Sequence, residues 1–268
     1  MKLEICHDRS RLIRRIVYYS ALTGILAWQG CASTPAPVHR PIYQPSGPTS
    51  VTLPAGYGTT HTIRHEVGPL ETLWRISKMY NVDMETIMRV NNISDPSKIT
   101  MGQVLEIPHT TGPVPVIPLY PSHKWSYIVI HHTATETGNA KSINDLHYKR
   151  GFWNGLGYHF LIDNGTDGKL DGQIEVGPRW IQQRDGAHAN ADGMNQRGIG
   201  ISLVGNYSEE RVSAKELESL LFLVKTLQRY YNIPDAHVIR HKDVRGKHTE
   251  CPGNNFPWAE FKSRLASS

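Results

Sequence analysis

The stretch Arg240-His-Lys-Asp-Val-Arg-Gly-Lys-His-Thr-Glu-Cys-Pro-Gly253 decides how this chain is read. It sets an imidazole (His241), a hydroxyl (Thr249) and a thiol (Cys251) within fourteen residues and closes on a Pro-Gly turn. Far upstream, Ser126-Tyr-Ile-Val-Ile-His131-His132 is a β-branched and aromatic run that ends in two histidines. Such a run reads as a strand, and the end of a parallel strand is where a sheet presents chemistry. Two histidines and a cysteine brought together would leave one tetrahedral zinc position open, as in catalytic zinc sites. The spacing is not that of a compact zinc finger, so the whole fold has to assemble the site.

Five blocks follow one another in order: Ile130-His131-His132-Thr133-Ala134, Gly157-Tyr158-His159-Phe160, Gly186-Ala187-His188, Gly198-Ile199-Gly200-Ile201 with Val204-Gly205-Asn206-Tyr207, and Thr249-Glu250-Cys251-Pro252-Gly253. Together they resemble the zinc-dependent N-acetylmuramoyl-L-alanine amidases of the type 2 family, in the branch shared by phage amidases and peptidoglycan recognition proteins. The resemblance spans residues 125–265, about half the chain. It implies that His131, His241 and Cys251 bind Zn2+. It also implies that Tyr158 and Thr249 hold the oxyanion of the attacked amide and that His188 lines the peptide groove. His131 and His132, as strand neighbours, point to opposite faces; the resemblance makes His131 the ligand. Two departures are visible. His241 and Cys251 lie further apart than is common in the family, with the extra residues around Arg245-Gly246-Lys247. Ser202 stands where another branch carries a glutamate base, and Glu175, the nearest candidate in sequence, reads as a solvated strand carboxylate.

The totals fit a protein of two small domains. The chain has 268 residues, 39% hydrophobic and 20% charged, with a net charge of +5. The first 30 residues hold five basic and two acidic side chains, leaving 24 against 22 for the remainder. That balance, without a Lys/Arg stripe, argues against nucleic acid as a partner. The three cysteines are Cys6, Cys31 and Cys251, too few and too scattered for a disulfide framework.

Arg9, Arg11, Arg14 and Arg15 precede a short apolar run, Ile16 to Ala27, and then Gly30-Cys31. This order resembles a lipoprotein signal peptide (1–30) with Cys31 as the lipidated residue. It implies a membrane partner through the lipid and a place in the cell envelope, at the outer membrane facing the periplasm. Residues 31–60, rich in Pro, Ser, Thr and Gly, read as a disordered tether. From 61 to 108 the pattern becomes strand, two short helices, strand. Thr72-Leu73-Trp74, Ile76, Tyr80, Asn91-Asn92, Ile99, Gly102-Gln103 and Leu105-Glu-Ile-Pro108 resemble a LysM module, which implies binding of the glycan strand of peptidoglycan. Leu70 sits where that family usually has glycine. Trp74, Met79 and Met88 read as core. Residues 109–121, with four prolines, read as a stiff linker that keeps the domains apart.

In 122–268 strands alternate with helices. Ser142 opens a helix that ends at Lys149, and a capping box at Ser213-Ala-Lys-Glu216 starts a long helix with Leu217, Leu220, Leu221, Val224 and Leu227 on one face. The expected fold is α/β: a mixed central sheet flanked by helices, preceded by the small βααβ module. The expected function is hydrolysis of the amide between N-acetylmuramic acid and the L-alanine of the stem peptide, with zinc-activated water. The alternative is a non-catalytic peptidoglycan-binding lipoprotein.

Overall fold

The computed structural model describes residues 49–52 and 59–267. Cys6, Cys31 and the expected signal peptide lie outside the described residues.

The small module forms as its periodicity predicts. Strand β2 (His61–Glu66) pairs antiparallel with β3 (Val104–Thr110), and α1 (Leu73–Tyr80) and α2 (Met84–Val90) lie between them in sequence. Thr72 caps α1 by accepting from Arg75 N, Asp83 caps α2 by accepting from Thr86 N, and Asn81 ends α1 in a left-handed conformation. Leu73, Ile76, Met79, Ile87, Leu105 and Ile107 fill its core. Trp74 departs from expectation: it is 49% exposed, because it faces away from the stripe made by Leu73, Ile76 and Tyr80. Leu70, in the loop before α1, has φ +57°, a left-handed value that explains why glycine would be at home there.

The larger domain is built on a five-stranded sheet in the order β7 (Asp171–Val176), β6 (Phe160–Asn164), β8 (Gly198–Leu203), β5 (Tyr127–His132), β9 (Val238–Arg240). Only β7 runs antiparallel to its neighbour. One face carries α6 (Ala214–Tyr231) and α7 (Trp258–Ala266), whose Leu220, Leu223, Leu227 and Phe261 pack against Ile128, Ile130, Phe160 and Ile201. Each such fully buried side chain contributes roughly 1.5–3 kcal/mol. The other face carries α3 (Ala140–Lys149) and the short α5 (Met194–Arg197), while the short α4 (Pro178–Ile181) packs its Trp180 into the α6-side core against Phe160 and Tyr231. Helix α3 starts three residues earlier than expected from Ser142. Asn139 is the cap, and Ser142 is its reciprocal partner inside the first turn.

One expectation about the connecting segments does not hold, and most of the stretch 31–60 lies outside the described residues. Residues 109–121 do not hold the domains apart. They contain β4 (Val116–Leu119), whose side chains are all buried, and which pairs antiparallel with β1 (Thr49–Thr52), inside the stretch read as a disordered tether. The connector is sewn to both sides: Val114 N donates to Met79 O at 2.7 Å and Trp180 Nε1 donates to Pro118 O at 2.7 Å. The apolar residues between the prolines are long enough to pair as a strand and too hydrophobic to stay in water.

The two domains share a buried polar seam within one compact unit. Glu71 accepts from Arg75 Nη1 at 2.9 Å and bonds His65 at 2.8 Å, and Arg75 Nε donates to Val116 O at 3.3 Å. From the other domain, Lys169 pairs with Glu175 at 2.9 Å and donates to the carbonyl of Glu66, also at 2.9 Å. Asn139 Nδ2 donates to Glu66 Oε2 at 3.0 Å. Burial opposes ionisation of Glu71, but His65, Arg75 and Lys169 outweigh it and hold the carboxyl far below its ordinary 4.5. Glu175 is therefore not the solvated carboxylate the sequence suggested. It is buried, and its second oxygen accepts from Ala140 N at the start of α3.

Candidate metal centre

His131, next to last in β5, lies on the same face as Val129, opposite the α6 side, and in register with Ser202 of β8. His241 opens a 3-10 turn directly after β9, the other neighbour of β5, and Lys242 N donates to the carbonyl of Cys251 at 2.9 Å, which ties the Cys251 turn to it. The topology thus delivers the three side chains to the C-terminal end of adjacent parallel strands, where peptide dipoles and loops leave room for chemistry. One ligand atom from each of His131, His241 and Cys251 lies within 4.8 Å of the others. His131 Nδ1 is 3.7 Å from Cys251 Sγ.

The donor set fits a zinc ion. Zinc bond lengths of about 2.0–2.3 Å in a tetrahedron put ligand atoms roughly 3.3–3.8 Å apart, which matches the His131–Cys251 edge. His241 Nε2 is buried and has no hydrogen-bond partner, an orphan that a metal would satisfy. Burial lowers the basicity of both imidazoles, so they stand as neutral lone-pair donors. His131 is held well below its ordinary 6.5 by burial and by the neighbouring His188. His241 is held at about 4 by burial and Lys247, against an upward pull from the Ala189 carbonyl. Burial pushes the Cys251 thiol up to about 12, while the backbone N–H of His132, 3.4 Å from Sγ, pulls the other way.

His132 points to the opposite face, as expected, and its Nδ1 accepts from Tyr207 N at 3.2 Å. Tyr158 lies over the site, its ring 5.3 Å from that of His131. Burial, then the sulfur of Cys251, raises the pKa of its hydroxyl above the ordinary 10. The hydroxyl lies near Ser202 Oγ without hydrogen-bonding geometry, and Ser202 Oγ has no partner. Thr249 Oγ1 accepts from Cys251 N at 3.2 Å, which leaves its proton to donate elsewhere. His147 of α3, not singled out from sequence as part of the site, supports the Tyr158 wall. It stacks on Phe152 at 4.6 Å, sits 5.5 Å from the Tyr158 ring, and accepts from Gly157 N at 3.0 Å.

His188 is the misplaced expectation. It does not line a groove: it is buried behind His131, with Nδ1 3.0 Å from His131 Nε2 and Nε2 3.1 Å from the carbonyl of Gly198. A buried imidazole with both nitrogens engaged has nothing left to offer a peptide.

Comparison with known proteins identifies the family of the larger domain. A family model described as N-acetylmuramoyl-L-alanine amidase matches residues 121–254, half the chain. This chain belongs to that amidase family. A LysM domain model matches residues 65–108. The amidase region is similar to peptidoglycan-recognition protein SC2 of Drosophila melanogaster, 31% identical over 147 residues, covering 52% of this chain and 73% of that protein. It is also similar to peptidoglycan-recognition protein 2 of Holotrichia diomphalia, 33% identical over 136 residues, covering 47% and 66%. Among solved structures, the N-acetylmuramoyl-L-alanine amidase LysC of Clostridium intestinale is 40% identical, with a TM-score of 0.44, covering 56% of this chain and 92% of that one.

Proposed function

We propose that the protein is a zinc-dependent amidase that cuts the bond between N-acetylmuramic acid and the L-alanine of the stem peptide in peptidoglycan. One observation carries the reading: His131, His241 and Cys251 are all present, buried or nearly so, and converge with an unpartnered nitrogen among them. Zinc there would supply Lewis acidity toward the amide carbonyl and water activation at neutral pH. His131 and His241 would hold it through ring nitrogens and Cys251 through sulfur, with the His132 backbone N–H bracing that sulfur. Tyr158 and Thr249 are the hydroxyl donors for the oxygen of the attacked amide. Glu175 is not free to act as a glycosidase carboxylate, since Lys169 and Ala140 N hold its oxygens. The LysM domain would hold the glycan strand, and Cys31, in its basic–apolar–Gly-Cys context, would carry the lipid that anchors the chain in the envelope, at the outer membrane facing the periplasm.

Purified protein is expected to carry one equivalent of zinc and to release new amino termini from peptidoglycan without new reducing ends. Metal-free protein that binds sacculi and releases no amines would support the non-catalytic binding alternative. Reducing ends in place of amines would overturn the amidase reading.

A further inference from the structure

The three imidazoles His159, His188 and His131 form a file behind the metal centre, with ring centroids 5.7 Å and 4.9 Å apart. Two of the three rings, His159 and His188, meet backbone groups whose roles are unambiguous. Gly200 N can only donate, and His159 Nδ1 accepts from it at 2.9 Å, so His159 carries its proton on Nε2 and donates to the Arg184 carbonyl at 3.1 Å. The carbonyl of Gly198 can only accept, so His188 carries its proton on Nε2 and donates to it at 3.1 Å. In the neutral ring, His188 Nδ1 is then a lone pair, and it lies 3.0 Å from His131 Nε2.

We propose that His188 is a positioning residue. The Gly198 carbonyl sets its tautomer, and His188 in turn makes His131 carry its proton on Nε2 and turn an unprotonated Nδ1 toward Cys251 Sγ. The surroundings are shaped for that ring. A Cβ on Gly200 would come within 2.5 Å of His188 Cδ2, and one on Gly186 within 2.2 Å. Asn195 Oδ1 accepts from the backbone N–H groups of His188, Ala189 and Asn190 at 2.9–3.2 Å, which fixes the segment that carries the ring. The arrangement is the general one by which an outer hydrogen bond orients a metal-binding imidazole and raises its basicity. Here the acceptor is itself an imidazole, and a backbone carbonyl sets its direction. The tautomer does not depend on the zinc reading; the effect on metal affinity does.

Two measurements test it on the full chain. Nitrogen-15 NMR of histidine-labelled, metal-free protein should show His131 protonated on Nε2. In His188→Ala that preference should be lost, with signal appearing for the Nδ1–H form. Chelator competition should show a zinc affinity about 10- to 100-fold weaker in His188→Ala. His188→Asn, whose amide oxygen stands where Nδ1 stood, should restore affinity to within about threefold of wild type. Thermal unfolding of the metal-free variants checks that each is folded. An Nδ1-protonated His131 in the wild type, or an equal loss of affinity in the Ala and Asn variants, overturns the proposal. Wild-type protein that binds no zinc at all would sink the zinc reading instead, leaving the NMR result to decide the tautomer.

Discussion

Two buried polar clusters in this chain are built on opposite terms. In the seam between the LysM and amidase domains, Glu71, Arg75, Lys169 and Glu175 are opposite charges closed on one another and on backbone carbonyls. At the metal centre the groups are neutral bases and a thiol, and the His241 Nε2 atom is left with no partner. The contrast teaches how to read buried ionisable groups here. At the seam, paired charge locks structure; at the trio, lone pairs converge around an unpartnered nitrogen, where a ligand would go. Glu175 shows the distinction within one residue: it sits on the site's side of the sheet, yet its oxygens are already taken.

The sharpest break of that comparison removes a ligand. Cys251→Ala should lose zinc and, because Lewis-acid stabilisation is worth several kcal/mol, lower amide cleavage by about a thousandfold or more. Zinc content and amine release measured on the same sample check it, and retention of both would mean that the cluster is not a metal site.

Breaking the seam should instead cost stability. Glu71→Gln leaves Arg75 and Lys169 buried with less compensation, and at pH 7 it should destabilise the protein by about 3–5 kcal/mol. The sign with pH follows from the depressed carboxyl. The folded state holds Glu71 ionised far below its ordinary 4.5, so its stabilisation is full above that value and is lost as pH falls further. Urea midpoints of wild type and Glu71→Gln should therefore lie far apart at pH 7 and draw together below about pH 4. A gap that does not change with pH would count against the ion pairs.

Tyr158→Phe sharpens the comparison at the metal centre. It should keep zinc and lower the rate by about a hundredfold, the usual cost of removing one oxyanion donor. An unchanged rate would reassign Tyr158 to packing against His131 and His147. The smallest effect is expected at Leu70, which is half exposed and sits at positive φ. Leu70→Gly should raise thermal stability by up to about 1 kcal/mol, because it relieves a left-handed leucine. A loss would show that the side chain packs more than its exposure implies.

Much of this was legible in the chain. The LysM elements follow from apolar spacing and from caps that act within a few residues: Thr72 and Asp83 bond the third residue of the following turn. Helix α6 was legible for the same reason. The convergent trio of His131, His241 and Cys251 was legible because its residue types are rare together and stand in recognisable blocks. The connector was misread because proline content argues for stiffness and is silent on burial. Trp74 was misread because a short helix lets one aromatic point either way.

By itself, the sequence determined the two domains, their element types, and the residue types of the candidate metal trio, all of which rest on local patterns or on residue type. Only the tertiary structure decided which groups those residues answer to. His188 became a partner of His131 through a hydrogen bond across 57 residues, and Arg75 reaches the carbonyl of Ile174 across 99. Nothing in a linear pattern distinguishes a lysine that will meet water from one, like Lys169, that will be buried between two carboxylates. The free energy of a charge or a lone pair is set by what surrounds it, and those surroundings exist only once distant strands have come together.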